Sequence, residues 1–334
     1  LIYLIKALSE NWTNATPEMA ELAYECTLCE TCDMCEIIPV PAPHTTPSDL
    51  IRFLRHLLVK NGVMPEKIRR LQAKLKKSGT SEKKVQWKTQ DRAGKMPKTV
   101  LFMDGSSTIE RKLHRHALSL LGKMGNNAAI LDHSGATSGA DLYDLGLWDE
   151  LKKEIDRNAG EVAKLEGKEV VFLNPHTQEF MTRKYGDLSS SNPAIKARHF
   201  SELLREAFKK GKLKALKGKK LKVAYHDPCR LSRSLGIYAA PRDVLKFINL
   251  EVIEMKRNRE DTYCCGAGSI NPAYGAFARK VAEERIKEFL ETGAEVLVTA
   301  CPYCEEVFSN LLGREKGKVR DLVEIVDERT EKVS

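Results

Sequence analysis

The chain has 334 residues, 42% hydrophobic and 30% charged, with a formal net charge of +9. That length holds two or three domains, no apolar run reaches the ~18 residues of a membrane span, and the opening LIYLIKALSENWTNATPEM reads as a helix and turn rather than a secretory leader. The basic excess is local: residues 209–222 carry eight lysines in fourteen positions, and 66–98 is also basic. Without interleaved aromatic residues these stretches read as solvated faces, with docking on an acidic protein as the alternative and nucleic acid excluded.

In chain order, residues 1–65 read as a helical domain. PSDLIRFLRHLLVKNG is an amphipathic helix opened by Thr46, Pro47 and Ser48 and closed at Gly62. Because the first helix begins at full stride on Leu1, residues upstream are expected. Residues 66–97 read as a basic linker. Residues 98–200 then alternate strands (KTVLFMD, NAAILDHSG, KEVVFLNPH) with helices (TIERKLHRHALSLLGKMG and LYDLGLWDELKKEIDRNAGEVAKLEG). Residues 201–334 repeat the order: LKVAYHDPC, PRDVLKFI, LEVIEMKRN, DTYCCGAGS, AFARKVAEERIKEFLETG, EVLVTACPYC, EEVFSNLLG. Strand–helix alternation predicts parallel α/β layers. VLFMDGS lies over VAYHDPC, HSGATS over CCGAGS, and VVFLNPHT approximately over VLVTACPYC. The fold class is therefore α/β: a helical domain, then two pseudo-symmetric units. In the first unit Ser106, His133, Ser134, Asn174 and Thr177 stand where the second has cysteines.

The nine cysteines fall into two groups. Cys26, Cys29 and Cys32 form C-x2-C-x2-C, the loop spacing of a 4Fe–4S cubane cluster; a zinc knuckle would want two separated C-x-x-C pairs. Cys35 follows after only two residues. It is the fourth ligand if the chain is complete, and serves a neighbouring cluster if a second motif lies upstream. Clustered C-x-x-C spacing points to metal thiolates in a reducing compartment rather than disulfides.

The second group is Cys229, Cys264, Cys265, Cys301 and Cys304, spaced C-x34-CC-x35-C-x2-C. Each is expected at or just after a strand end, where parallel sheets converge on one crevice. Gly266 and Gly268 are expected to let the backbone approach a bound cluster. His226 and Asp227 precede Cys229; the histidine is a candidate proton source for a leaving thiolate, while HDP also suits a strand-to-turn transition with Asp227 capping an amide. Arg230 reads as electrostatic support for an anionic cluster. His133 and His176 read as hydrogen-bonded core or surface groups.

The second group's spacing, with HDPCRL, CCGAG and ACPYC around it, resembles the cysteine-rich CCG motif. That family includes catalytic subunits of heterodisulfide reductase and iron–sulfur subunits of glycolate, lactate and glycerol-3-phosphate dehydrogenases. The cysteine-free first unit is similar to heterodisulfide-reductase-like subunits of sulfate-reducer membrane complexes. The resemblance implies a non-cubane 4Fe–4S cluster on Cys229, Cys264, Cys265, Cys301 and Cys304 that performs two-electron disulfide–thiol chemistry, fed by cubane clusters at the Cys26 group. Zinc or an ordinary cubane occupies the motif in some relatives. The implied partners are flavoprotein or membrane-cytochrome redox subunits and a small-molecule or protein disulfide. The implied location is cytoplasmic, with membrane association through a partner. A relay subunit of a flavin-dependent 2-hydroxy-acid or glycerol-3-phosphate dehydrogenase is the alternative function, and a zinc-holding docking module is a third.

Overall fold

The computed structural model describes residues 1–34, 46–79, 86–89, 97–104, 108–133, 137–268, 275–312 and 318–333. Cys35, Ser106 and Ser134 lie outside the described residues. The N-terminal segment forms α1 (Ile2–Ser9), α2 (Pro17–Glu25) and α3 (Pro47–Lys60). Thr46 and Asp49 close a capping box at the start of α3, and Gly62 turns the chain out of it at φ +72°.

The expected linker is partly built. Residues Glu66–Gly79 are a helix, α4, and Gln86–Thr89 a strand, β1, that pairs antiparallel with β3 (Ala128–His133). Ile68, Leu71 and Leu75 repeat at helical spacing among the lysines, and Ile68 is fully buried. Charge density obscured that stripe.

The first α/β unit runs β2 (Thr99–Asp104), α5 (Thr108–Lys123), β3, α6 (Ala140–Asp144), α7 (Trp148–Ala163), β4 (Glu169–Phe172), α8 (Pro175–Arg183), α9 (Tyr185–Leu188), β5 (Lys196–His199) and α10 (Phe200–Lys209). A short strand, β6 (Leu213–Ala215), intervenes. The second unit runs β7 (Lys222–His226), a π-helical turn (Arg230–Ser234), α11 (Ala239–Phe247), β8 (Glu251–Glu254), α12 (Ala276–Glu291), β9 (Val296–Thr299), α13 (Pro302–Leu312), β10 (Val319–Asp321) and α14 (Leu322–Glu328). The terminal strand β11 (Thr330–Lys332) pairs with β6.

The sheets are ordered β1-β3-β2-β4-β5 and β10-β9-β7-β8. Leaving out the added strand β1, both are wholly parallel with one connectivity: the first strand of each unit lies between its second and third, and the fourth is at the edge. α10 follows β5 as α14 follows β10, so the first unit's last helix extends past residue 200. One expected helix is divided: α6 and α7 are separated at Leu145–Leu147. Gly146 has φ +75°, and a Cβ there would stand 2.4 Å from the His56 backbone nitrogen. The break admits α3 against this unit.

Side chains alternate across each sheet. Val100, Phe102, Val170 and Phe172 face a core with Ile5, Leu8, Tyr24, Leu54 and Leu58 of the N-terminal helices. Leu101 and Val171 face the other way, into a core shared with Val223, Tyr225, Val298 and Leu322 of the second unit. The two units therefore share one apolar interior. On the far face of the second sheet, Ala224 and Leu297 pack with Cys265, Cys301, Cys304 and Phe308.

Candidate metal centre

Three segments following the strands of the second sheet carry the second cysteine group. Cys229 begins the π-helical turn after β7, Cys301 directly precedes α13, and Cys304 sits in the first turn of that helix. Cys264 lies well beyond the end of β8 at Glu254, on an excursion stapled to the rest: Arg233 donates to the carbonyls of Cys29 (2.9 Å), Glu260 (3.0 Å) and Thr262 (2.6 Å). In the first unit His133, aligned with Cys264, is itself the last residue of β3.

All eight described cysteines are free, including the adjacent Cys264 and Cys265. The five second-group sulfurs form an arc of contacts. Cys229 contacts Cys264, Cys264 neighbours Cys265, Cys304 donates to Cys265 at 3.2 Å, and Cys301 contacts Cys304. Thiols of Cys264 and Cys304 donating to Cys265 hold its pKa well below the usual thiol range. Hydrogen bonding from Cys229 and Cys29 outweighs burial at Cys264, and Cys301 is lowered against burial by Cys304 and the backbone amides of Cys304 and Tyr303. Donation to Cys264, then burial, pushes Cys229 well up; burial, then donation to its neighbours, does so for Cys304. Buried sulfurs that favour charge beside thiols that supply protons form a soft donor set, and a soft cation taking the place of those protons would satisfy it.

The first group abuts this array. Cys29 touches Cys264, and that contact with burial lifts its pKa to about 12. Burial raises the pKa of Cys26 and Cys32, the Cys29 charge adds to both and the Cys26 charge to Cys32, and the Leu28 amide donates to the Cys26 sulfur at 3.4 Å. Leu28 and Glu30 adopt positive φ, 49° and 61°, on either side of Cys29, curling the loop over the array. One cavity is lined by all five second-group cysteines, with Thr27, Leu28 and Gly268 on one side and His176 and Tyr303 on another.

Gly266 has a packing reason of its own. Its φ is +78°, and a Cβ would stand 2.3 Å from the Ala278 carbonyl oxygen on α12. The glycine seats the cysteine turn on a helix. Gly268, also at positive φ, lines the cavity, and a Cβ there would stand 3.6 Å from the Thr27 backbone.

Asp227 accepts both terminal nitrogens of Arg242 at 2.7 Å and the Arg259 amide at 2.8 Å, so it shapes the turn. His226 is buried; Arg285 donates to its Nδ1 at 3.0 Å, and desolvation with that cation lowers its pKa well below the ordinary value. In the first unit two of the counterpart positions, Asn174 and Thr177, are occupied by hydrogen bonds. Thr177 donates to Asp104 at 2.9 Å and Asn174 to Glu110 at 3.4 Å.

Sequence reasoning missed a buried ionic hub behind the array. Arg230 donates to Glu30, to Asp144 at 3.0 Å and to Glu179 at 3.4 Å; Arg52 donates to Asp144 (2.6 Å), Asp49 (2.8 Å) and Glu30 (3.2 Å). His176 Nε2 lies 3.0 Å from Asp144 and Nδ1 3.6 Å from Asp141, whose carboxylate accepts the Tyr303 hydroxyl at 3.1 Å. Burial alone would lower the His176 pKa, but the Asp144 hydrogen bond and the charges of Asp144, Asp141 and Glu179 raise it to about 9. Glu30, between two cysteines, thus links the N-terminal loop to α3 and the second unit, and Asp144 of the first unit joins through the same two arginines. The available signal was on α3, where Arg52 and Arg55 share the buried face with Ser48 and Leu58.

Residues 223–309 match the CCG cysteine-rich domain family. Over 218 residues, 63% of this chain and 53% of the relative, the protein is 31% identical to a component of the dihydromethanophenazine:CoB–CoM heterodisulfide reductase of Methanosarcina barkeri. It is 26% identical over 92% of its length to "Probable iron-sulfur-binding oxidoreductase FadF" of Bacillus subtilis, covering 45% of that protein. It is 28% identical over 59% of its length to a "Probable membrane-anchored ferredoxin" of Chromohalobacter salexigens, covering 30% of it. The chain thus spans about half or less of these relatives. A solved structure, a hypothetical protein from Helicobacter pylori, superposes with a TM-score of 0.55 over 86% of this chain and 59% of that one, at 15% identity, a likeness of fold alone. Among the described residues no helix is long and apolar enough to cross a membrane.

Proposed function

We propose that this chain is an iron–sulfur electron-transfer subunit of a heterodisulfide-reductase-like complex. In this reading Cys229, Cys264, Cys265, Cys301 and Cys304 hold a non-cubane 4Fe–4S cluster, and Cys26, Cys29 and Cys32 a cubane. The observation that supports it most is the arc of five sulfurs on one cavity with Cys29 against Cys264. Zinc needs four ligands, and five thiols exceed its demand. When bound, such a cluster supplies one-electron steps and an iron site for sulfur. The net reaction is RS–SR′ + 2 e⁻ + 2 H⁺ → RSH + R′SH, with electrons from a one-electron carrier protein. The chain's own residues orient the thiolates, bury them, and hold a proton at the site: His176, charged between Asp144 and Asp141, lines the same cavity. The cysteine-free unit then provides one wall and the proton-bearing group. We further propose that the two units superimpose about a pseudo-twofold axis.

The relay reading, electron transfer without a substrate, is favoured by the similarity to the FadF protein over most of this chain. Electron paramagnetic resonance of the oxidised, iron-reconstituted protein separates the two. A signal that develops on adding thiol supports disulfide chemistry; no signal with thiol, and a cubane signal only after the same sample is reduced, overturns it in favour of the relay.

A further inference from the structure

His226 ends β7 with its ring fully buried, and a ring nitrogen lies with the Cys265 and Cys304 sulfurs in a group whose members are within 4.8 Å of one another. By residue type this triad resembles a metal site. The other edge of the ring decides otherwise. Arg285 Nε is 3.0 Å from His226 Nδ1. A guanidinium has N–H donors and no acceptor, so Nδ1 must offer its lone pair. A neutral imidazole then carries its proton on Nε2. Arg285 is held in place: it is fully buried, and its terminal nitrogens donate to Glu288, to the Arg257 carbonyl at 2.8 Å and to Thr262 at 3.2 Å. Phe308 meets the ring edge-on at 4.9 Å. Nε2 is buried and makes no hydrogen bond to oxygen, nitrogen or sulfur. With Nδ1 taken by Arg285, Nε2 is the nitrogen left to face the two sulfurs.

We propose that His226 is not a metal ligand but a fixed, otherwise unpartnered N–H beside the sulfurs of Cys265 and Cys304 that donates to them once they carry a cluster, its tautomer set by Arg285. Resting on the reading that these thiolates hold an iron–sulfur cluster, the consequence is redox tuning. A hydrogen bond to a cluster sulfur favours the more negative, reduced state and raises the reduction potential. His226 is then a positioning and tuning residue, and its Nε2 proton stays on the ring through turnover.

Two measurements test this. Nitrogen-15 NMR of the full-length, histidine-labelled chain, as purified and oxidised, reads the tautomer of His226 whatever metal the cysteines carry. The expected result is Nε2–H with Nδ1 as acceptor, and loss of that single tautomer in Arg285→Met; an Nδ1–H tautomer in the unaltered chain overturns the proposal. In iron-reconstituted protein, His226→Leu should keep the iron content and lower the reduction potential, with His226→Gln, which retains an N–H, recovering part of the shift. Iron loss in His226→Leu, or an unchanged potential, overturns the donor role. If the unaltered chain takes up no iron at the second cysteine group, the proposed function fails, and the NMR result alone decides the hydrogen-bond assignment.

Discussion

Arg52 and Asp144 offer a quantitative test of how the cysteine loop is anchored. Arg52 is 1% exposed and ties α3 to three carboxylates: Asp144 on α6, Asp49 on its own helix, and Glu30 in the cysteine loop. Removing one partner of a buried ion pair costs roughly 3–5 kcal/mol, because the other charge stays buried. In Arg52→Met the stranded anions keep other cations. Asp144 retains Arg230 and His176, Asp49 retains Lys184 at 2.9 Å, and Glu30 retains Arg230. The loss should fall near the lower end, about 3 kcal/mol. Asp144→Asn is the harsher change, since one carboxylate serves Arg52, Arg230 and His176 together; it should approach about 5 kcal/mol. Urea unfolding of the reconstituted chain, compared at the main transition, measures both. Two variants within about 1 kcal/mol of the parent, or Arg52→Met worse than Asp144→Asn, would refute the hub as the anchor.

His176 sets a pH dependence. Its pKa rises from 6.5 to about 9, so its contribution is fully present below pH 6.5 and lost as pH climbs through 9. At about 1.4 kcal/mol per pH unit that is about 3 kcal/mol, and unfolding from pH 6 to 9.5 should show a flatter profile in His176→Gln; equal slopes would contradict it. Asp141, pushed up to about 7 by burial, adds a dependence of the same sign at lower pH. Gly266→Ala should strain the backbone by about 1–3 kcal/mol, displace Cys264 and Cys265, and lower iron content while circular dichroism is kept; full iron content would refute the packing argument. For the relay, Cys26→Ala is the clean variant, because Cys29 touches the second site. It should abolish electron delivery from the donor and leave the second-group metal in place, and surviving donor-linked activity would reverse the proposed order.

The parallel layers and both cysteine groups were legible because strand periodicity and thiol spacing are local signals. The start of α3 at Thr46, Pro47 and Ser48 and its stop at Gly62 were read from neighbours in the chain, and the structure adds the capping box with Asp49. What escaped depends on distant approach. Gly146 breaks an otherwise continuous helical pattern only because α3 packs against it. The helix within 66–79 was hidden because lysines outnumber its three apolar positions. The ionic hub joins residues from Glu30 to Arg230, far apart in sequence; Arg230 was read as support for a cluster, but its carboxylate partners look alone like surface charges. Arg285 could have been suspected, since it falls on the buried stripe of α12 with Ala278, Ala282 and Phe289. Its partner His226 becomes visible only when that stripe meets the sheet.

The central claim is that five cysteines form one multi-iron site. Mössbauer spectroscopy of the iron-57-reconstituted double variant Cys26→Ala/Cys32→Ala, which leaves the second group as the intact thiolate set, tests it most directly. The account predicts several iron atoms per chain in coupled, thiolate-bound environments, with Cys265→Ser losing iron or changing cluster type. A single tetrahedral metal, with Cys265 dispensable, would contradict it.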